Sequence, residues 1–310
     1  MEKYIKKGDE KMFKPRTDLA IEAAEMMTKE KGKSVDGVRL KKYSAGCADI
    51  TRVEIKDAKG EEAVGKPRGN YITLEYSTHD LYSEEKCREI SKAFSKELAS
   101  LIVPHKHDVI FVVGLGNRFI TPDALGPGVS DSVCVSRHLD GKKPLLCSLS
   151  PGVLGITGIE TGEIIEGISD KIKPDIIIAI DALASKSMER ICTTLQLADT
   201  GITPGAGVGN KRKELSRKTM GIPVIAVGVP TVVDAATVAN DSVDLLLEKL
   251  SDRLSVPEYI LDDNSRYELI RNALNPYFGE LIVTPSNIDS VIEKVAFLIA
   301  EGINNLVALI

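Results

Sequence analysis

The sequence predicts an α/β protein with a mainly parallel sheet, helices on both faces, and an added region of partly antiparallel strands. Two continuous apolar runs, 108–113 and 174–180, are rich in β-branched residues, which is typical of strands buried on both faces. Helical patterns separate these runs from other strand candidates, which favours parallel pairing through crossover helices. With 310 residues and 43% hydrophobic side chains, the chain can bury a sizeable core.

The first third of the chain predicts two helices with a β-rich segment between them. Apolar residues indicate a short helix over 19–31, which a charged run ends. Alternation over 51–56 and 71–76 indicates strands, and we interpret 34–82 as a β-rich insertion or subdomain. Apolar positions at helical spacing predict another helix over 83–101.

The rest of the chain predicts strands that alternate with helices. We expect a polar pro-segment over 1–18 and a single α/β domain over 19–310. The expected strands of the parallel part are 108–114, 144–149, 174–180, 222–229 and 280–284.

Composition argues against several classes of protein. The 40 basic and 45 acidic residues nearly balance, so no global field would attract nucleic acid or an anionic membrane. The first residues lack the apolar core of a signal peptide, and no stretch reaches the roughly 18 apolar residues of a membrane span, so we expect a cytoplasmic protein. Five scattered cysteines indicate reduced thiols. They are Cys47, Cys87, Cys134, Cys147 and Cys192.

Two aspartates follow the two strongest strand candidates. A glycine turn, Gly114-Leu-Gly-Asn117, leads from the first strand to Asp123, and the second strand candidate stops on Asp181. Ligands of open α/β sheets bind outside the carboxyl ends of the strands. We therefore expect Asp123 and Asp181 to face one crevice.

Two neighbouring carboxylates can share a proton, so that one acts as a base on water while its partner donates to the attacked carbonyl oxygen. The residues equally allow a metal that activates the water between them. The simpler interpretation is structural, since Asp123 and Asp181 could each cap the helix that follows. In that case the chain would be a noncatalytic assembly protein.

Glycine-rich loops also follow the strands and suggest other ligands. The turn after 114 lacks the third glycine of a dinucleotide fingerprint, because Phe119 stands in its place. The loop over 205–213 resembles a phosphate loop but lacks its lysine–hydroxyl ending and its preceding strand. No cofactor is therefore expected, although a small-molecule hydrolase or phosphorylase of similar fold is the alternative function.

Long motifs in the middle of the chain resemble the germination proteases of spore-forming bacteria. Besides the Gly114-Leu-Gly-Asn117 turn, the matching segments are Thr121-Pro-Asp-Ala-Leu-Gly-Pro127, Pro151–Thr161, Lys173–Ala184, Asp199–Leu215 and Gly221–Ala235.

The resemblance implies an atypical aspartic-type endopeptidase that initiates degradation of small acid-soluble spore proteins during germination, in the developing spore and spore core. It implies a phosphorylase/hydrolase-like fold similar to the hydrogenase-maturation endopeptidases, and a homotetrameric zymogen. It places the catalytic pair at Asp123 and Asp181. The related maturation enzymes also use a histidine to bind metal, and His138, expected on the helix after Asp123, is a distant candidate.

The resemblance also implies self-processing near the amino terminus. Arg16–Glu22 matches the processing segment of the family and places the cut between Asp18 and Leu19. The segment is similar to the sites that the family cuts in spore proteins, so it resembles a substrate mimic. A capping role of Thr17 or Asp18 for the helix at 19 explains those two residues equally well.

Overall fold

A computed structural model of the chain describes residues 19, 21–22, 36–102, 109–139, 144–205, 212–251, 263–278, 281–307 and 309. Two compact units are present. The larger unit falls within residues 17–234 and 282–310, and the smaller one includes residues 235–281.

A single large sheet forms the framework of the larger unit. Its strands are β1 (Val38–Ala45), β2 (Ala48–Ile55), β3 (Gly69–Glu75), β4 (Val109–Gly114), β5 (Leu145–Leu149), β6 (Ile176–Ser185), β7 (Thr194–Ala198), β8 (Val224–Asp234) and β9 (Ile282–Val283). In the order β1-β2-β3-β7-β8-β6-β4-β5, each strand pairs with the next, and β9 pairs with β8.

The predicted α/β class is confirmed, with a parallel and an antiparallel part in the same sheet. Strands β5, β4, β6 and β8 pair in parallel. The β-rich segment adds β1, β2 and β3, which join the parallel part through antiparallel pairing with β7. Strands β4, β6 and β8 are buried over nearly their whole length, as the continuous apolar runs of β4 and β6 predicted for those two strands.

Helices cover both faces of this sheet. The described helices of the larger unit are α1 (Ala58–Val64), α2 (Glu84–Leu101), α3 (Leu125–Ser132), α4 (Leu154–Thr157), α5 (Thr161–Ile172), α6 (Arg217–Met220) and α9 (Ile288–Leu306). Successive apolar side chains of the central strands pack on opposite faces of the sheet. Val112 and Ile178 pack on the face covered by α2, α3 and α9, and Phe111 and Ile177 pack on the face covered by α5.

The smaller unit contains two helices, α7 (Ala235–Ser251) and α8 (Asp263–Phe278), which pack on each other. Arg266 of α8 joins them, because its Nε donates to Asn240 Oδ1 at 2.7 Å and its guanidinium pairs with Asp244. Of the predicted helix over 19–31, the structure describes Leu19, Ile21 and Glu22. Ile21 and Glu22 are helical, and the rest of the predicted helix lies outside the described residues.

Two glycines allow the end of β4 and the start of α3 to meet backbone against backbone. A Cβ atom on Gly114 would lie 2.0 Å from the carbonyl oxygen of Gly126, and one on Gly126 would lie 2.1 Å from that of Leu115. Real Cβ atoms do not approach carbonyl oxygens so closely, so both positions require glycine. The turn between these glycines carries Asp123 and is therefore held tightly to the end of β4.

We expect the Gly126→Ala substitution to destabilise the protein, because the added methyl group must displace the backbone of Leu115. Overpacking of this kind costs about 1–3 kcal/mol in the free energy of unfolding. Gly167→Ala is the matched control, since Gly167 also lies within a helix but has open space around its Cβ position.

Alanine is preferred over glycine inside helices, so the Gly167→Ala control should gain about 0.5–1 kcal/mol. Urea denaturation of the two variants measures the difference. Equal stabilities would contradict the proposed backbone contact between β4 and α3.

Candidate active site

Asp123 ends a short 3₁₀ turn, Thr121–Asp123, that follows β4. Its Oδ2 atom accepts the backbone N–H of Asn117 at 2.7 Å, which closes the loop from the glycine turn back onto the carboxylate. Gly116, with a φ of 109°, makes room, because a Cβ there would lie 2.1 Å from the carbonyl oxygen of Asp123. Asp123 is not the predicted helix cap, since Ala124 precedes α3 and no side chain caps that helix.

Asp181 lies inside β6, so the prediction that the strand stops there was wrong. The strand continues to Ser185 because β8 is equally long and pairs with it, with Gly228 opposite Asp181. A role as the cap of a following helix is therefore excluded. The Asp181 side chain is 6% exposed, and its Oδ1 accepts the N–H of Ala182 at 3.0 Å.

The structure brings Asp123 and Asp181 to the same part of the sheet. Gly114 is paired with Ile180, and the next N–H, that of Leu115, donates to the Ile180 carbonyl at 2.8 Å. The Thr121–Asp123 turn packs against β6 and β8. The turn that carries Asp123 therefore lies beside β6, close to where that strand carries Asp181.

Burial raises the pKa of Asp123 above that of an exposed aspartate, since desolvation disfavours its charged form. Two weaker effects oppose the shift, the hydrogen bond from the Asn117 amide and the positive charge of Arg212. Asp123 therefore keeps its proton to a higher pH than usual while retaining groups that stabilise its ionised form. A carboxyl group whose two forms are both stabilised can act as either an acid or a base.

Arg212 is a site residue that the sequence analysis did not identify. Its side chain is 20% exposed and forms an ion pair with Glu160 at 3.6 Å, which ties the loop after β5 to the segment before α6. Its N–H also donates to the Pro204 carbonyl at 3.4 Å. A cation near a half-buried aspartate is a signal that a linear motif does not contain.

Other candidates from the sequence have different positions. His138 is exposed in a turn, because α3 ends at Ser132, so its predicted place on that helix was wrong. Asp199, the first residue of one of the matching segments, binds Asn70 through both carboxylate oxygens, at 2.8 and 2.7 Å, and so fastens β3 to the loop after β7. The central part of the possible phosphate loop, 206–211, lies outside the described residues.

A metal at the aspartate pair would need several ligands. Among the residues that the structure describes, no group of three or more histidine, cysteine, aspartate or glutamate side chains is arranged to hold one.

Exposed apolar side chains lie on the loops that follow β4 and β5. Phe119 is 78% exposed and Ile120 also faces solvent, within the loop that leads to Asp123. Leu154, Ile156 and Ile159 are exposed on the loop after β5. Because β4 and β5 are parallel neighbours, both loops lie at the same edge of the sheet, where apolar surface is suited to a bound peptide.

The predicted processing site is partly described. Asp18 lies outside the described residues, whereas Leu19 is completely buried. Leu19 and Ile21 form a small apolar cluster with Leu183 and Ile202. The residue after the predicted cut thus packs close to the strand that carries Asp181.

Comparisons with known proteins give one consistent result. The sequence model described as germination protease matches residues 17–258. A germination protease from Clostridium acetobutylicum is 48% identical over 307 residues, covering 93% of this chain and 94% of the relative. Those from Clostridium tetani and Bacillus cytotoxicus are 47% and 40% identical, each over 93% of this chain and over 94% and 92% of the relative.

Among solved structures, a NiFe hydrogenase maturation protease from Thermococcus kodakarensis matches with a TM-score of 0.37 and 20% identity, over 67% of this chain and 99% of that protein. The helices in the described part of the chain include none that is long and apolar enough to cross a membrane.

We expect the Arg212→Gln substitution to raise the pKa of Asp123 further, because it removes a positive charge that favours the ionised carboxylate. Lys213→Gln is the matched control, since Lys213 pairs with Glu166 at 2.7 Å. A carbon-13 NMR titration of labelled aspartate carboxyl groups measures the pKa in both variants. An unchanged or lower value in Arg212→Gln would contradict this account of the site.

Proposed function

Because the chain belongs to the germination protease family, as its motifs predicted, we propose that it is the endopeptidase that initiates degradation of small acid-soluble spore proteins during germination. Family membership establishes a peptidase. The observation that supports the mechanism is that the turn carrying Asp123 packs against β6, the strand that carries Asp181.

We propose an aspartic-type mechanism for peptide hydrolysis. The ionised aspartate of the pair removes a proton from water as the water oxygen attacks the peptide carbonyl carbon. The protonated aspartate donates its proton to the carbonyl oxygen, which carries the developing negative charge. Proton transfer to the nitrogen and cleavage of the carbon–nitrogen bond then release the two products. No cofactor takes part in this scheme.

The surroundings of Asp123 support this chemistry. Its burial favours the protonated form, while the Asn117 amide and Arg212 favour the ionised form. Two adjacent carboxylates titrate as a pair, and a pair that shares one proton needs both forms to be accessible. The ion pair with Glu160 holds Arg212 in place, and the charge of Arg212 favours the ionised form of Asp123.

The exposed apolar side chains at this edge support a polypeptide substrate. Phe119 and Ile120 project from the loop that leads to Asp123, and Leu154 and Ile156 from the neighbouring loop. Apolar side chains of an extended segment could cover them while its peptide bond reaches the carboxylates. We propose spore proteins as substrates and the cytoplasm of the developing spore and the spore core as the location.

We further propose that the chain is made as a homotetrameric zymogen whose residues 1–18 form a pro-segment. The support comes from Leu19, which is anchored among Ile21, Leu183 and Ile202. A new amino terminus at Leu19 would begin at a residue that the fold already holds beside the strand of Asp181.

We expect Asp123→Asn and Asp181→Asn each to reduce cleavage of a small acid-soluble spore protein by about a hundredfold or more, because each removes a group that transfers a proton. Asp131→Asn is the matched control. This residue is an exposed aspartate of α3 that pairs with Arg118, and its loss should leave cleavage unchanged.

Stability separates this mechanism from a purely structural role. The folded state raises the pKa of Asp123, so its ionised form weakens the fold near neutral pH, and Asp123→Asn should preserve or increase the free energy of unfolding. A residue with a purely structural role would instead lose stability on substitution and leave proteolysis intact. Such an outcome would contradict the catalytic assignment.

We expect mass spectrometry of the active protein to show an amino terminus at Leu19. Asp181→Asn protein, kept under the same conditions, should retain residues 1–18 if the pair performs the cut. A fully active protein that still begins at Met1 would count against the zymogen proposal.

A further inference from the structure

The loop that carries Asp123 is organised by one residue, Asn117, which ends the glycine turn after β4. Three groups of Asn117 form hydrogen bonds within this loop. Its side-chain Oδ1 accepts the N–H of Phe119 at 3.0 Å, and its carbonyl oxygen accepts the N–H of Ile120 at 3.1 Å. Its own N–H donates to Asp123 Oδ2 at 2.7 Å.

The side chain of Asn117 stabilises the bend of the backbone at this position. An asparagine oxygen that accepts the N–H two residues later forms an Asx turn, which replaces a backbone turn. The N–H at the start of this bend is the one that binds Asp123. The Asp123 N–H donates to the Ile120 carbonyl at 2.8 Å, so hydrogen bonds hold the loop at both of its ends.

The two carboxyl oxygens of Asp123 have different surroundings. Oδ2 accepts the Asn117 N–H, whereas no donor among the described residues binds Oδ1. Gly116 leaves space beside Oδ1, because a Cβ at this position would lie 2.9 Å from that oxygen. A protonated carboxyl group has one O–H donor, and its other oxygen remains the acceptor. The proton of Asp123 therefore belongs on Oδ1.

Charges near the loop act on Asp123 in a different way. Burial raises the pKa of Asp123, while its hydrogen bond and the charge of Arg212 oppose the rise. The elements packed against the Thr121–Asp123 turn are β6, β8, α3 and α9. Among their acidic groups, Asp181 lies on β6, and Asp131 of α3 pairs with Arg118 at 3.4 Å. A charge acts on the whole carboxyl group, whereas the hydrogen bond acts on one oxygen and so determines where the proton lies.

We propose that Asn117 is a positioning residue for the reaction at Asp123. Its side chain holds the bend, its N–H occupies Oδ2, and Oδ1 is left to carry the proton that moves during catalysis. When Asp123 is the acid, the Oδ1–H bond breaks and the proton passes to the oxygen of the attacked carbonyl group. When Asp123 is the base, Oδ1 takes the proton that leaves the attacking water. This inference rests on the proposed function, to which the proton transfer belongs.

The Asn117→Ala substitution tests this role without measuring activity. It removes the bond to Phe119, so the N–H at position 117 is no longer held against Asp123 Oδ2. The ionised form of Asp123 then loses a donor, and its pKa should rise above the wild-type value. A carbon-13 NMR titration of labelled aspartate carboxyl groups measures this pKa.

Asn304→Ala is the matched control. The Oδ1 atom of Asn304 also accepts a backbone N–H, that of Cys134 at 2.9 Å, but it joins α9 to the segment after α3. This variant loses the same kind of hydrogen bond and should keep the wild-type pKa of Asp123. An unchanged pKa in Asn117→Ala, or an equal rise in both variants, would overturn the positioning role.

Cleavage of a small acid-soluble spore protein gives the second measurement. In Asn117→Ala, kcat should fall about tenfold or more, because small displacements of a reacting group are costly. The limb of the pH profile that Asp123 sets should move to higher pH, since its pKa rises. Asn304→Ala should stay within about twofold of wild type in kcat.

Asn117→Ser is the conservative variant, since a serine hydroxyl can accept the Phe119 N–H in a weaker turn of the same kind. Its kcat and its pKa of Asp123 should lie between those of wild type and Asn117→Ala, and it carries the test if Asn117→Ala does not fold. A kcat that falls in both variants while the pH profile stays at its wild-type position would show a purely structural role and overturn the proposal.

Failure of the proposed function gives a different result. Wild-type protein that does not cut the spore protein would contradict that function and the proton transfer with it, even if the pKa of Asp123 rises in Asn117→Ala. Wild-type protein that cuts, together with an unchanged pKa in Asn117→Ala, would retain the proposed function and overturn the role of Asn117 alone.

Discussion

The backbone contact between the end of β4 and the start of α3 is the constraint on which the candidate site depends. Gly114 and Gly126 allow this contact, and the chain between them must then return over the sheet in a short loop. Asp123 lies in that loop and is fixed by the Asn117 amide. A side chain at either glycine would move the loop away from β6, and with it the carboxylate away from Asp181.

The electrostatics of the site follow from this geometry. Because the loop packs against the sheet, Asp123 loses contact with water, and this desolvation raises its pKa and favours its protonated form. The loops after β5 and β7 supply the opposing influence, because Glu160 and Pro204 hold Arg212 near the carboxylate. The protein thus combines a half-buried acid with a cation that limits the rise in its pKa, a combination that suits the proposed carboxyl pair.

The sequence was informative where one segment determines its own structure. Continuous β-branched runs predicted β4 and β6, and the glycine turn after β4 predicted the position of Asp123. Sequence patterns did not predict the structure where contacts between distant segments determine it. Pairing with β8 extends β6 beyond Asp181, so the two aspartates reach the same part of the sheet from different local structures, a turn and a strand. The contact of Glu22 with Ser185 joins residues 163 positions apart and has no signal in the linear sequence.

The central claim is that Asp123 and Asp181 act as one unit. A double-mutant cycle of Asp123→Asn, Asp181→Asn and the double variant, measured as kcat for cleavage of a small acid-soluble spore protein, tests it most directly. Groups that share one proton lose their function together, so the double variant should be no slower than the slower single variant. Losses that multiply in the double variant, or a single variant with full activity, would contradict the claim.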